Sequence, residues 1–141
     1  MKKIFISSDH AGFKLKEAIK TFLSKKKVSF QDMGPYNDDK VDYPDFAHKV
    51  AKRVKINKKN FGILVCGSGT GMNIAANKHK NIRAAQCFNL KSTKLSRLHN
   101  DANIITLGSR LITKKNAFKF VSIFLSTKFD GGRHLKRVKK I

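Results

Sequence analysis

Phe61-Gly62-Ile63-Leu64-Val65-Cys66-Gly67-Ser68-Gly69-Thr70-Gly71-Met72-Asn73 is the stretch that decides the fold. An apolar run ends in a cysteine, three glycines fall within the next five residues, and a helix-compatible segment, Asn73-Ile74-Ala75-Ala76-Asn77, follows. In a parallel sheet that order reads as strand, tight turn and helix N-terminus. Such a turn exposes backbone N–H groups, and the helix dipole points its positive end at whatever sits there. A thiol beside that field loses its proton more easily than a free cysteine. One short segment can therefore supply both a base or nucleophile and a cradle for negative charge. The alternative is a structural turn with a buried cysteine at a strand end, since free cysteine is often simply buried. Nucleotide motifs do not fit. A Walker loop needs Gly-Lys-Ser/Thr at its end, and Gly71 is followed by Met72. The dinucleotide fingerprint needs its third glycine where Met72 stands, and no acidic residue lies roughly 20 positions further on.

The flanking sequence alternates between strand and helix patterns. Lys3 to Ser8 is a short apolar run, a first strand. Leu15, Ala18, Ile19, Phe22 and Leu23 recur at helical spacing. Val28 to Met33 reads as a second strand stopped by Gly34-Pro35, and a polar loop runs from Gly34 to Asp42. Ala47, Val50, Ala51 and Val54 repeat the helical spacing. Phe61 to Cys66 is a third strand, unbroken in apolar character as a strand covered on both faces should be. Arg83 to Cys87 reads as a fourth strand, Leu90 to Asn100 as a helix, and Asn103 to Leu107 as a fifth strand. A last long helix spans about Lys114 to Ser126; Phe118 and Ile123 lie off its core face, a sign of burial on more than one side and so of an oligomer. The pattern predicts an α/β, three-layer doubly wound (Rossmann- or flavodoxin-like) domain over 1–141, with a mostly parallel five-stranded sheet. Residues 127–141 read as a basic tail. In this architecture ligands bind outside the carboxyl ends of the strands, where Asp9, His10, Cys66, Ser109 and Arg110 all fall.

With 141 residues the chain can bury one core. Lys and Arg total 31 against 9 acids, a formal charge of +22. The lysines are scattered rather than gathered in a recognition motif, so a solvated surface that attracts anions is favoured over specific nucleic-acid binding. No apolar stretch has membrane-spanning length, and the apolar run after Met1-Lys2-Lys3 is too short for a signal peptide, so a cytoplasmic location is expected. Cys66 and Cys87 suit a reducing compartment without disulfides. The five histidines show no zinc spacing, and no metal site is expected.

Several further segments carry a resemblance: Ser8-Asp9-His10-Ala11-Gly12, Asp42-Tyr43-Pro44, the Cys66–Gly71 turn, Ala75-Ala76-Asn77-Lys78, Ser96 to Asn103, Gly108-Ser109-Arg110 and Gly131-Gly132-Arg133-His134. In order and spacing they resemble the ribose-5-phosphate isomerase B group, with the related galactose-6-phosphate and allose-6-phosphate isomerases. The resemblance implies an aldose–ketose isomerase of the non-oxidative pentose phosphate pathway, converting ribose 5-phosphate to ribulose 5-phosphate through a cis-enediolate without cofactor. It implies Cys66 as the base, with the backbone of Gly67, Ser68, Gly69, Thr70 and Gly71 holding the oxyanion and Ser68 assisting. His99, with Asp9, would open the sugar ring. His10, Arg110, Arg133 and Arg137 would hold the phosphate, Asn100 the sugar oxygens, and Tyr43 would line the pocket. It further implies a homodimer or tetramer whose site is shared, with His99, Asn100 and Arg110 supplied by the neighbour of the chain that gives Cys66. Six-carbon sugar phosphates are the alternative substrates. Asp9 and His10 could instead cap the first helix, His99 could be an ordinary helix histidine, and Arg133 and Arg137 could belong to a solvated tail. His48 and His79 read as surface residues and Cys87 as core.

Overall fold

The computed structural model describes residues 1–141. Its elements alternate as the hydrophobic periods dictate: β1 (Lys3–Ser8), α1 (Phe13–Lys25), β2 (Gln31–Asp32), α2 (Tyr43–Val54), β3 (Asn60–Cys66), α3 (Thr70–Ala76), β4 (Ala84–Gln86), α4 (Leu90–Asn100), β5 (Ile104–Gly108), α5 (Lys114–Ser126) and α6 (Gly132–Val138). The five strands order as β2-β1-β3-β5-β4, and every ladder is parallel. The expected α/β, doubly wound class holds, with the sheet wholly rather than mostly parallel. No helix is long and apolar enough to cross a membrane.

Side chains alternate across the strands and so sort into two cores. Ile4, Ile6, Ile63, Val65, Ile105 and Leu107 face one side, where α1 and α5 contribute Ile19, Leu23, Phe120 and Phe124. Phe5, Leu64, Cys66 and Ile104 face the other, against Val50, Ala51 and Val54 of α2 and Met72, Ala75 and Ala76 of α3. Because β3 sits mid-sheet with both faces covered, its sequence is a continuous apolar run rather than an alternating one.

Four strands differ from the sequence reading, β3 only by the addition of Asn60. The second strand shrinks from Val28–Met33 to Gln31–Asp32, because β2 is an edge strand that pairs only Phe5 and Ile6 of β1. Val28 and Phe30 pack on the core from outside the ladder. The fourth strand, also at an edge, is Ala84–Gln86 rather than Arg83–Cys87, and β5 is displaced by one residue to end at Gly108. The tail is not featureless, since α6 folds back on α4, with the Asp130 N–H donating to the Leu98 carbonyl at 3.1 Å. Phe118 stacks on Phe22 of α1 with centroids 4.5 Å apart, so its off-face position is filled within the chain.

Lys16 is fully buried beneath the 33–42 loop. Its Nζ donates to Asp32 Oδ1 at 2.9 Å and to the Pro35 carbonyl at 2.6 Å, and Lys20 Nζ donates to Asp32 Oδ2 at 2.6 Å. Burial alone would raise the Asp32 carboxyl, but the hydrogen bonds from Lys20, Lys16 and the Gly34 N–H outweigh it and hold it below the usual carboxylate range. Removing one partner of a buried pair strands the other charge. Asp32→Ala should therefore lower stability in urea denaturation by about 3–5 kcal/mol, and a loss below about 1 kcal/mol would show that Lys16 does not depend on Asp32.

His48 and His79 are not separate surface residues. His48 Nδ1 lies 2.7 Å from His79 Nε2, so one proton serves both nitrogens. Burial, then the charges of His48, Lys55 and Lys52, hold His79 below the usual histidine range. The unfolded chain then binds the proton more readily than the folded one. Stability from this pair is complete above about pH 6.5 and is lost as pH falls below it. Melting temperatures at about pH 7.5 and about pH 5.5 should differ less in His79→Gln than in the parent chain. An equal drop in both would remove the pair as its cause.

Candidate active site

The chain steps outward from β1 to β2 and then returns across β1 to β3. That reversal opens a crevice beyond the carboxyl ends of β1 and β3, the place where parallel sheets bind ligands. A cleft of about 300 Å³ lies there, lined by Asp9, His10, Tyr43, Cys66, Gly67, Ser68, Gly71 and Arg110 among others. Three loops build it, and the backbone ties them together. The Asp9 N–H donates to the Val65 carbonyl (3.1 Å), Ser109 N–H to the Cys66 carbonyl (2.8 Å), and Arg110 N–H to the Gly67 carbonyl (3.0 Å). Ser109 Oγ donates to the Ala11 carbonyl at 2.8 Å, closing the third side.

Cys66 is buried at the end of β3. Gly69 takes a left-handed backbone, φ +80°, which turns its N–H back toward the preceding strand end. That N–H donates to Cys66 Sγ at 3.1 Å. Ser68 and Thr70 are exposed on the turn, the Ser68 hydroxyl accepting from Thr70 N–H at 3.2 Å. Asp9 is buried, and its Oδ1 accepts from Gly12 N–H at 2.9 Å. It thus braces the turn into α1, as a capping carboxylate would, while also lining the cleft. His10 Nδ1 accepts from the Val41 N–H at 3.2 Å, so the ring is anchored from behind. The Tyr43 ring, at the start of α2, packs on Gly71, and the Arg110 guanidinium lies over Gly67. Arg110 therefore belongs to the same chain's cleft as Cys66, which corrects the expectation that the neighbour alone supplies it. The cause is the Ser109–Cys66 and Arg110–Gly67 backbone pairing, which seats the loop after β5 directly on the turn after β3.

The remaining predicted residues lie elsewhere. Helix α4 starts beyond the carboxyl end of β4 and runs back to the amino ends of the strands. There Arg83, the residue before β4, donates its Nε to the carbonyls of Asn100 and Asp101. A five-residue strand such as β5 spans roughly 16 Å. His99 and Asn100 are thus about a strand length from the same chain's Cys66. Helix α6 joins them: the His134 ring stacks on His99, centroids 4.1 Å apart and 15° from parallel. Packing, then the charges of His99, Arg133 and Arg137, hold His134 below the usual histidine range. His99, Asp130 and His134 offer ligand atoms all within 4.8 Å of one another. Nearly parallel rings direct their lone pairs side by side rather than to one point. With Arg133 and Arg137 beside them, the cluster suits an anion better than a cation. Sequence reasoning quoted His134 within the Gly131–His134 segment but gave it no role, and it passed over Gln86, which grips the glycine turn from β4 and falls in no recognisable pattern.

A three-layer parallel fold with a thiol, a glycine turn and anion-seeking groups at its switch point defines an α/β enzyme acting on a small anionic substrate. Comparison with known proteins specifies the class. Residues 4–141 match the family model described as Ribose/Galactose Isomerase. Ribose-5-phosphate isomerase B of Escherichia coli is 42% identical over 141 residues, covering all of this chain and 95% of the relative. The crystal structure of a ribose 5-phosphate isomerase from Thermotoga maritima superposes with a TM-score of 0.95 at 50% identity, covering 99% of this chain and 96% of that one. Ribose-5-phosphate isomerase B of Mycoplasma genitalium with bound ribulose 5-phosphate has a TM-score of 0.94 at 46% identity, covering 98% and 92%. The chain belongs to the ribose/galactose isomerase family and is an isomerase of sugar phosphates.

Proposed function

We propose that this chain interconverts D-ribose 5-phosphate and D-ribulose 5-phosphate in the cytoplasm, with Cys66 as the base. The observation that carries the proposal is the Cys66 thiol at the switch-point cleft with the Gly69 N–H aimed at its sulfur. The activity named for the Escherichia coli and Thermotoga maritima relatives, and the ribulose 5-phosphate bound by the Mycoplasma genitalium relative, support it.

In the reaction, the Cys66 thiolate takes the proton from C2 of the open-chain aldose. The C–H electrons form a C1–C2 double bond, and the aldehyde oxygen becomes an enediolate oxygen. Donors already in place are worth most where such charge develops, and the N–H groups of the Gly67–Gly71 turn left free by the Gly69–Cys66 and Thr70–Ser68 bonds supply them. The thiol returns its proton to C1, while Ser68 helps move the hydroxyl proton from O2 to O1. A base in proton-transfer reach contributes about 10²–10⁴-fold. Cys66→Ala should therefore reduce ribose 5-phosphate turnover by at least about 10²-fold in a folded protein. Full activity in that variant would move the base to another residue. Assaying galactose 6-phosphate and allose 6-phosphate in parallel checks the choice of a five-carbon substrate.

Ring opening needs an acid–base group near the ring oxygen. His99 serves that role in this reading with Asp9, and Asn100 holds the sugar hydroxyls. His10 and Arg110 meet the phosphate from one side; Arg133 and Arg137 of the C-terminal segment meet it from the other. Forked guanidinium groups match phosphate oxygens, and binding a phosphate remote from the reacting carbons positions them. Since His99 and Cys66 of one chain lie at opposite sheet ends, the reading requires a homo-oligomer in which each copy completes the other's site. Mixing unfolded Cys66→Ala and His99→Asn chains and refolding them together should restore about a quarter of the parent activity if the unit is a dimer. In that mixture half the dimers are mixed, and each carries one intact site. Absence of any recovery would place the whole site within one chain.

A further inference from the structure

We infer that Gln86 is a positioning residue for Cys66, acting through a single peptide unit. This inference rests on the isomerase reading above. Gln86 ends β4, an edge strand separated from β3 by β5. Its Nε2 nevertheless donates to the Ser68 carbonyl at 2.9 Å, and both ends of its amide reach the Thr70 hydroxyl, at 3.1 and 3.3 Å. The reach is possible because Gly108, on β5 between them, has no side chain. A Cβ there would stand 2.5 Å from the Ser68 carbonyl oxygen.

The Ser68 carbonyl and the Gly69 N–H belong to the same peptide group. It is trans, so the two point in opposite directions. Gln86 grips the oxygen end; the nitrogen end donates to Cys66 Sγ at 3.1 Å. The order is thus Gln86 amide, Ser68 carbonyl, Gly69 N–H, Cys66 sulfur. Two consequences follow from elementary chemistry. The plane of the peptide is fixed from its far side, in a glycine turn that otherwise has wide conformational freedom. A donor on the carbonyl also polarises the amide, so its N–H becomes a better donor to the sulfur. Gln86 touches neither the thiol nor the cleft, since its polar contacts are with the back of the turn. The Thr70 contact ties the first residue of α3 to the same side chain.

Gln86→Leu and Gln86→Glu in the full chain test the relay. Leucine removes every polar contact. Glutamate can still accept from the Thr70 hydroxyl but cannot donate to the Ser68 carbonyl, so it separates the peptide grip from the Thr70 brace. The first readout is the pH profile of iodoacetamide alkylation of Cys66, followed peptide by peptide so that Cys87 is scored apart. Both variants should alkylate Cys66 along a profile displaced to higher pH. The second readout is ribose 5-phosphate turnover, where kcat should fall about three- to tenfold with KM within about twofold. Wild-type profiles in both variants would overturn the inference. A defect in Leu that Glu repairs would also overturn it, because the Thr70 brace would then be the whole effect. If Leu fails to fold, Gln86→Met takes its place, because the charge of glutamate by itself displaces the Cys66 profile to higher pH. Alkylation needs no substrate, so a wild-type protein without ribose 5-phosphate turnover would refute the isomerase reading while still testing the relay.

Discussion

Parallel pairing of β3 with β1 on one side and β5 on the other is the constraint from which the rest of the structure follows. It brings the loops after all three strands to one edge, in register: Ser8 beside Val65 and Cys66 beside Gly108. The loops then continue the pairing past the strand ends. Asp9, Ser109 and Arg110 donate their N–H groups to Val65, Cys66 and Gly67 respectively. Backbone hydrogen bonds of this kind carry little side-chain specificity, but they set where each side chain starts. The thiol, the carboxylate and the guanidinium converge because their main chains are laced together before any side chain acts.

The same ladder explains the two-ended distribution of polar chemistry. A helix that follows a parallel strand must run back along it, so α4 delivers His99 and Asn100 to the end opposite Cys66. Helix α6 then packs its one buried residue, His134, onto His99 and leaves Arg133 and Arg137 exposed alongside. One chain thus carries a thiol-bearing cleft at one edge and a histidine–arginine cluster at the other. Association of copies turns these two partial sites into whole ones in the reading proposed above. The formal charge of +22 adds a general attraction for anions.

The core elements were legible because burial writes a period into the sequence. Helix α4 and helix α5 match their expected bounds, and β3 is recognisable from Asn60–Cys66 with one residue added. The second strand was read too long, because Val28 and Phe30 are apolar for packing reasons and not for pairing; Cys87 lies just past β4 and still donates its N–H to the Thr106 carbonyl at 3.0 Å. Helix α6 was missed for the converse reason. With only His134 buried it shows no core-facing apolar stripe, and one pair three residues apart, Leu135 and Val138, is too little to mark a helix. The pairing of His48 with His79 was equally invisible, since the two are 31 residues apart and meet only where α2 lies along the end of α3.

By itself the sequence determined the alternation of strands and helices, the glycine turn behind Cys66, and the set of residues able to do acid–base and anion chemistry. These are local properties, governed by periodicity and by the backbone freedom of glycine. Only the tertiary structure decided which of those residues meet. It seated Arg110 over Gly67 of its own chain, carried His99 to the far end of the sheet, and reached Gln86 across Gly108 to the turn. The reason is that strand order, not sequence separation, sets distance in a parallel sheet, and the order β2-β1-β3-β5-β4 is a property of the folded chain as a whole.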